Sequence, residues 1–277
     1  MPVFTTSDGV DLAYQDRGGD GFPLVLLPGW GQTQAMFRHQ FADLGDAHRV
    51  ITLDHRGHGL SAKPDHGYRI ARLAADVVEL LDHLGLDEVD ALGWSMGVSL
   101  WWSLIDSHGT GRIRRFVAVD QPSAVAAVPW MSPREQVECG AIFDVDALVA
   151  LGGGLAGPDG GKVREDFVRG MFPGGVPEDV WEFVAGELDT VPAAGAVPLL
   201  FDHCAQDWRD VLPAIDVPTL VVGSEVSHVS VSSQAYVADR IPGARLHVFT
   251  ADVATSHFPF LLNPPAFNAV VEAFLAG

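Results

Sequence analysis

Basic residues are scarce in this chain and cysteine is nearly missing. Lysine and arginine together number 17 against 36 aspartates and glutamates, a formal charge of −19. A chain so acidic, with no basic stripe to follow a phosphate backbone, argues against nucleic acid as a partner, and its field disfavours strongly anionic substrates. The two cysteines, Cys139 and Cys204, stand far apart and without metal-ligand spacing. Neither a disulfide framework nor a zinc site is therefore expected. No stretch approaches ~18 uninterrupted apolar residues, and the opening "MPVFTTSDGVDLAY" has no basic segment followed by an apolar one. A membrane span and a secretory signal are not expected, and a cytoplasmic location is.

What the chain does have is apolar material: 48% of its 277 residues are hydrophobic and only 19% charged. That supplies a large core and suits one α/β domain with an inserted cap. "VFTTSDGVDLAY" at 3–14 alternates around an "SDG" turn and predicts a β-hairpin. "FPLVLLPGWG" (22–31), "HRVITLDHRGHG" (48–59), "VDALGWSMG" (89–97), "RIRRFVAVDQP" (112–122) and "VPTLVVGSE" (217–225) read as buried strands that run into loops. Helical periodicity fills 69–86, closed by Gly85, and 98–109, stopped by Gly109. Strands alternating with helices predict a doubly wound, mostly parallel sheet that binds ligands outside the carboxyl ends of its strands. Residues 123–210 break the alternation with prolines, the glycine-rich "LGGGLAGPDGG" and short amphipathic pieces. We read 1–122 plus 211–277 as the core and 123–210 as a helical cap.

The chemistry centres on "GWSMG" at 93–97. Serine is a weak nucleophile unless a base takes its proton and amide donors face the oxyanion. Glycines at 93 and 97 relieve crowding in a sharp strand-to-helix turn that aims Ser95 out of the sheet, and the Met96 N–H lies at the helix start.

With "LLPGWG", "DHRGHGLS", "GWSMG" and "SHFPFLLNP" in this order, the chain resembles the α/β-hydrolase family over essentially its whole length. The resemblance implies Ser95 as nucleophile, His257 as base, and the Trp30 and Met96 amides as oxyanion hole. It implies structural roles for Asp54, Arg56 and Gly57. Family members usually carry histidine where this chain has Pro28, a departure that bears on loop conformation. Of the other histidines, His247 lies within a strand and His55, His58 and His66 in early loops. The acid has two candidates. Glu225 follows the strand after which most members place it, while Asp120 ends the strand after the elbow helix. The Asp120 position is used by branches such as the cofactor-devoid quinolone dioxygenases and zearalenone lactonase, which also share the "HFP" triplet of 257–259.

Aromatic residues concentrate in the loops and the cap, and Trp94, Trp130, Phe143, Trp181 and Phe258 are the candidate lining of an apolar substrate pocket. The leading expectation is a cofactor-free serine hydrolase of a small, fairly apolar ester or lactone, as monomer or homodimer. One alternative is a cofactor-free dioxygenase opening a 3-hydroxy-4-quinolone ring with the His257/Asp120 pair. That branch has a histidine two places after the tryptophan, where this chain has Gln32. The other alternative is a non-catalytic small-molecule receptor. The cofactor-free haloperoxidases, similar around "GWSMGVSLWW", use the hydrolase triad.

Overall fold

The computed structural model describes all residues, Met1–Gly277. Eight strands form one sheet: β1 (Val3–Thr5), β2 (Asp11–Asp16), β3 (Phe22–Leu27), β4 (His48–Leu53), β5 (Val89–Trp94), β6 (Ile113–Val119), β7 (Thr219–Ser224) and β8 (Arg245–Phe249). Their spatial order is β1-β2-β4-β3-β5-β6-β7-β8. The β1–β2 hairpin pairs antiparallel and joins β4 antiparallel, whereas β3 to β8 are all parallel to one another and to β4. The doubly wound, mostly parallel sheet expected from the alternation is therefore present.

The central strands are near-continuous apolar runs because both faces are covered. On β3, Val25 and Leu27 join the core beneath one layer of helices while Leu24 and Leu26 face the other. The helices are α1 (Arg38–Asp43), α2 (Ile70–His83), α3 (Met96–His108), α4 (Pro133–Cys139), α5 (Val145–Ala156), α6 (Gly160–Arg169), α7 (Glu178–Leu188), α8 (Ala193–Cys204), α9 (Val231–Arg240), α10 (Pro259–Leu262) and α11 (Pro264–Leu275). Buried side chains of α2, α3 and α9 share the first core, and those of α10 and α11 the second.

Helices α4 to α8 all fall between β6 and β7 in the chain, and α6 and α8 reach the cavity lined by Ser95 just beyond the end of β5. The glycine-rich run there is not the break its composition suggests: Gly152, Gly153 and Gly154 lie inside α5. Packing overrides propensity at this point, because a Cβ on Gly152 would stand 2.1 Å from the ring of Phe201 on α8. The glycine permits α5 and α8 to approach.

Candidate active site

β5 ends at Trp94 and α3 begins at Met96, so Ser95 alone makes the turn between them. Its backbone sits at φ 53, ψ −128, a region that costs ~1–3 kcal/mol for a residue with a side chain. The surroundings enforce it. Ser95 N–H donates to the Val119 carbonyl at 2.9 Å and Val98 N–H to the Ser95 carbonyl at 2.8 Å. Gly97 lies so close to β3 that a Cβ would stand 2.0 Å from the Leu27 carbonyl oxygen. Only one other residue besides glycine has a positive φ: Asp120, at 51, immediately after β6. Its N–H is fixed to the Val222 carbonyl at 2.8 Å. The two residues in strained backbone are thus the expected nucleophile and one of its two expected acids.

His257 enters from the loop between β8 and α10. Its Nδ1 lies 2.8 Å from Asp120 Oδ2, and both side chains are buried. Trp94 pins the loop, its indole N–H donating to the His257 carbonyl at 2.8 Å. Asp120 Oδ2 also accepts from the Ser227 hydroxyl at 2.6 Å, and that hydroxyl in turn accepts from Val229 N–H. Glu225 is not part of this cluster. Its exposed carboxylate accepts from Ala251 N–H at 2.9 Å. Of the two candidate acids, only Asp120 contacts His257.

Burial drives the pair toward its neutral forms, raising Asp120 to about 7 against the pull of the Ser227 hydroxyl, and lowering His257 to about 3. The contact at 2.8 Å works in the opposite sense, favouring a carboxylate beside a protonated ring. Nε2 of His257 is buried without a partner. A neutral ring that donates from Nδ1 leaves Nε2 free to accept a proton. Ser95 and His257 line one cavity without a hydrogen bond between them. Such bonds are commonly loose before substrate arrives.

Of the two expected oxyanion donors, Trp30 lines the cavity with Ser95 and Met96 follows Ser95 directly in the chain. Met96, as the first residue of α3, has an N–H outside the helix ladder. The Trp30 N–H donates to no protein acceptor. The loop carrying it is held by two buried histidines: His55 Nε2 donates to the Pro28 carbonyl at 3.1 Å, and Gly31 N–H donates to His58 Nε2 at 3.3 Å. Asp54 holds the same loop further on, accepting from Gln34 N–H and from Leu60 N–H, each at 2.8 Å. Buried Arg56 is gripped by Asp76 and Asp8. The Trp30 indole N–H donates to the Ala196 carbonyl of α8 at 2.7 Å, tying loop to helix.

Sixteen residues line the cavity, which opens to solvent. Trp30, Trp94 and Phe143 are among them, with Val125, Ile142, Phe167, Met171 and Leu200. Three expected lining residues are elsewhere. Trp130 is 79% exposed, in the surface turn before α4. Trp181 is buried against Phe172, with the Arg169 guanidinium over its ring. Phe258 is fully buried between Trp94 and Phe172, where it holds the histidine loop from behind. Their aromatic side chains fill core or surface positions that composition alone does not distinguish from a pocket wall.

The cavity also contains polar residues that the sequence reading did not select. Gln32 lies two places after Trp30, and its position in that loop was an available signal. His228 packs edge-on against His257, with ring centroids 4.3 Å apart. His203 reaches in from α8, and nothing local to its sequence marks it.

Three buried histidines outside the His257/Asp120 pair are expected to make the protein acid-sensitive. Burial lowers His55 to about 4, and His58 and His203 to about 3, so the folded state binds these protons only well below 6.5. The unfolded chain binds them from pH 6.5 downward, which makes stability full above pH 6.5 and progressively lost as pH falls toward 4. Each group contributes about 1.4 kcal/mol per pH unit in that window. The midpoint of thermal unfolding is expected to fall steeply between pH 6.5 and 4.5; a flat profile there would show that these rings are protonated in the folded state.

A family model described as alpha/beta hydrolase fold matches residues 23–138, a span that includes Trp30, Ser95 and Asp120. Over 99% of both chains, the sequence is 29% identical to a non-heme haloperoxidase of Rhodococcus erythropolis. It is 27% identical to a 3-oxoadipate enol-lactonase of Acinetobacter baylyi, over 99% of this chain and 98% of that one. Among solved structures, the esterase RhEst1 from Rhodococcus sp. ECU1013 superposes with a TM-score of 0.81 at 26% identity, covering 100% of this chain and 99% of the other. No single helix is long and apolar enough to cross a membrane.

Proposed function

Since this chain belongs to the α/β-hydrolase superfamily, we propose that it is a serine hydrolase cleaving a carboxylic ester or lactone of a small, fairly apolar molecule. The observation that carries this reading is the 2.8 Å contact between His257 Nδ1 and Asp120, with His257 Nε2 unpartnered in the cavity that Ser95 also lines. In the proposed reaction Nε2 takes the Ser95 proton as Oγ attacks the carbonyl carbon. Asp120 holds the ring by Nδ1–H and stabilises the imidazolium. The Trp30 and Met96 amides receive the negative oxygen. The imidazolium then protonates the leaving alkoxide, and water releases the acyl group by the same steps in reverse roles. The enol-lactonase and esterase relatives support an ester or lactone as the scissile group.

Ser227 has a positioning role in this scheme. Its hydroxyl donates to Asp120 at 2.6 Å and favours the carboxylate, so Ser227→Ala raises Asp120 further above its ordinary value. The acidic limb of the kcat/KM profile should move up by about one pH unit. An unmoved limb would leave Ser227 with a packing role only.

One observation also serves a second reading. Because His257 Nε2 is not engaged by Ser95, the His257/Asp120 pair could deprotonate an acidic ring hydroxyl directly, as a cofactor-free dioxygenase requires. A panel of p-nitrophenyl esters and lactones, with oxygen consumption followed in parallel, separates the readings. Turnover above ~1 s⁻¹ without oxygen uptake is expected. Oxygen uptake on a 3-hydroxy-4-quinolone that persists in Ser95→Ala would favour the second reading, and tight binding with no turnover would mark a receptor.

A further inference from the structure

The cavity carries more hydrogen-bonding capacity than hydrolysis uses. Gln32 is 1% exposed, and neither its Oε1 nor its Nε2 has a partner. His203, 5% exposed on α8, has an unpartnered Nδ1. Both line the cavity shared by Ser95 and His257, and no Lys, Arg, Asp or Glu is among its walls. A buried carboxamide without partners is costly, and a site built around one discriminates strongly in favour of ligands that complete it. Because both ends of the amide are free, turning it over changes nothing: one end always calls for a donor and the other for an acceptor.

A plain ester or lactone offers acceptors only. We propose that the substrate of the hydrolase inferred above is uncharged and carries, on its apolar body, a hydroxyl or amide N–H that donates to the Gln32 carboxamide, with His203 contributing a further hydrogen bond. A carboxylate-bearing ester or lactone finds no cation in these walls, and the overall charge of −19 opposes its approach. Selectivity for a neutral, donor-bearing substrate is thus assigned to Gln32, which is a binding residue and takes no part in bond breaking.

The test compares p-nitrophenyl esters of phenylacetic acid, mandelic acid, O-methylmandelic acid, 3-phenylpropanoic acid and 3-hydroxy-3-phenylpropanoic acid, with mono-p-nitrophenyl succinate as the anionic member. In the wild type, a hydroxyl-bearing ester is expected to exceed its hydroxyl-free partner in kcat/KM by tenfold or more. The methoxy ester should lose that advantage, and the succinate should fall at least tenfold below the neutral esters. In Gln32→Leu the hydroxyl preference should collapse toward one whatever the absolute rates, with His203→Leu as an independent second variant. Absence of the preference in wild type, or its survival in Gln32→Leu, overturns the proposal. If no ester is cleaved at all, the hydrolase reading has failed on its own. Calorimetric binding of methyl phenylacetate and methyl mandelate, which differ only in the hydroxyl donor, to wild type and Gln32→Leu then decides the role of Gln32, with a tenfold preference for methyl mandelate only in wild type supporting it and equal affinities overturning it.

Discussion

Replacing Ser95 by alanine is expected to lower kcat/KM toward any ester or lactone the protein cleaves by roughly 10⁴- to 10⁶-fold, while the protein remains folded. The size of the effect follows from the scheme. Without Oγ there is no covalent step, and only the oxyanion donors and the binding walls remain, which elsewhere sustain a small residual acceleration over water. Stability should change little. The strain at position 95 is a property of the backbone, held by hydrogen bonds to Val119 and Val98 that alanine keeps, and its side-chain hydroxyl makes no hydrogen bond to His257. A fall of only a few fold, with the thermal midpoint unchanged, would remove Ser95 from the chemistry.

The second large effect separates the two carboxylates. Asp120→Asn should cost roughly 10⁴-fold in kcat, because an amide cannot stabilise the imidazolium and invites the wrong tautomer of His257. Glu225→Gln should stay within about twofold. Glu225 is exposed and bound to Ala251 N–H, far from the demands of a buried ion pair. Stability distinguishes a chemical loss from a folding loss here. Burial already raises Asp120 to about 7, so a neutral asparagine removes a desolvated charge and the variant should be at least as stable as wild type at neutral pH. Activity lost in Glu225→Gln and kept in Asp120→Asn would reverse the assignment of the acid.

Much of this arrangement is legible along the chain, and the reasons are physical. β5, the elbow and α3 are contiguous, and the constraint that forces the serine into strained backbone is written as glycine at 93 and 97. His257 and Asp120 are likewise marked by their places after apolar strands. What local sequence does not settle is which strand end meets which loop: Asp120 and Glu225 stand at the ends of adjacent strands, and only the path of the β8–α10 loop brings His257 to the first. The pocket walls were the least legible. Trp181 and Phe258 have the apolar surface of a lining residue and are buried behind the site, while Trp130 faces solvent. His203 and Phe167 reach the cavity because α6 and α8 dock over it, and docking of helices distant in sequence leaves no local pattern. The glycine run in α5 misleads for the same reason, since Gly152 sits against the Phe201 ring within the helix and not in a turn.

The central claim is that Ser95 is an activated nucleophile. The most direct measurement is reaction of the folded protein with a fluorophosphonate, followed by mass analysis of its peptides. One adduct per chain on the peptide carrying Ser95, blocked by prior saturation with an ester substrate and abolished in Ser95→Ala, is the predicted result. Folded, catalytically active protein that takes up no label, or takes it up elsewhere, would contradict the account.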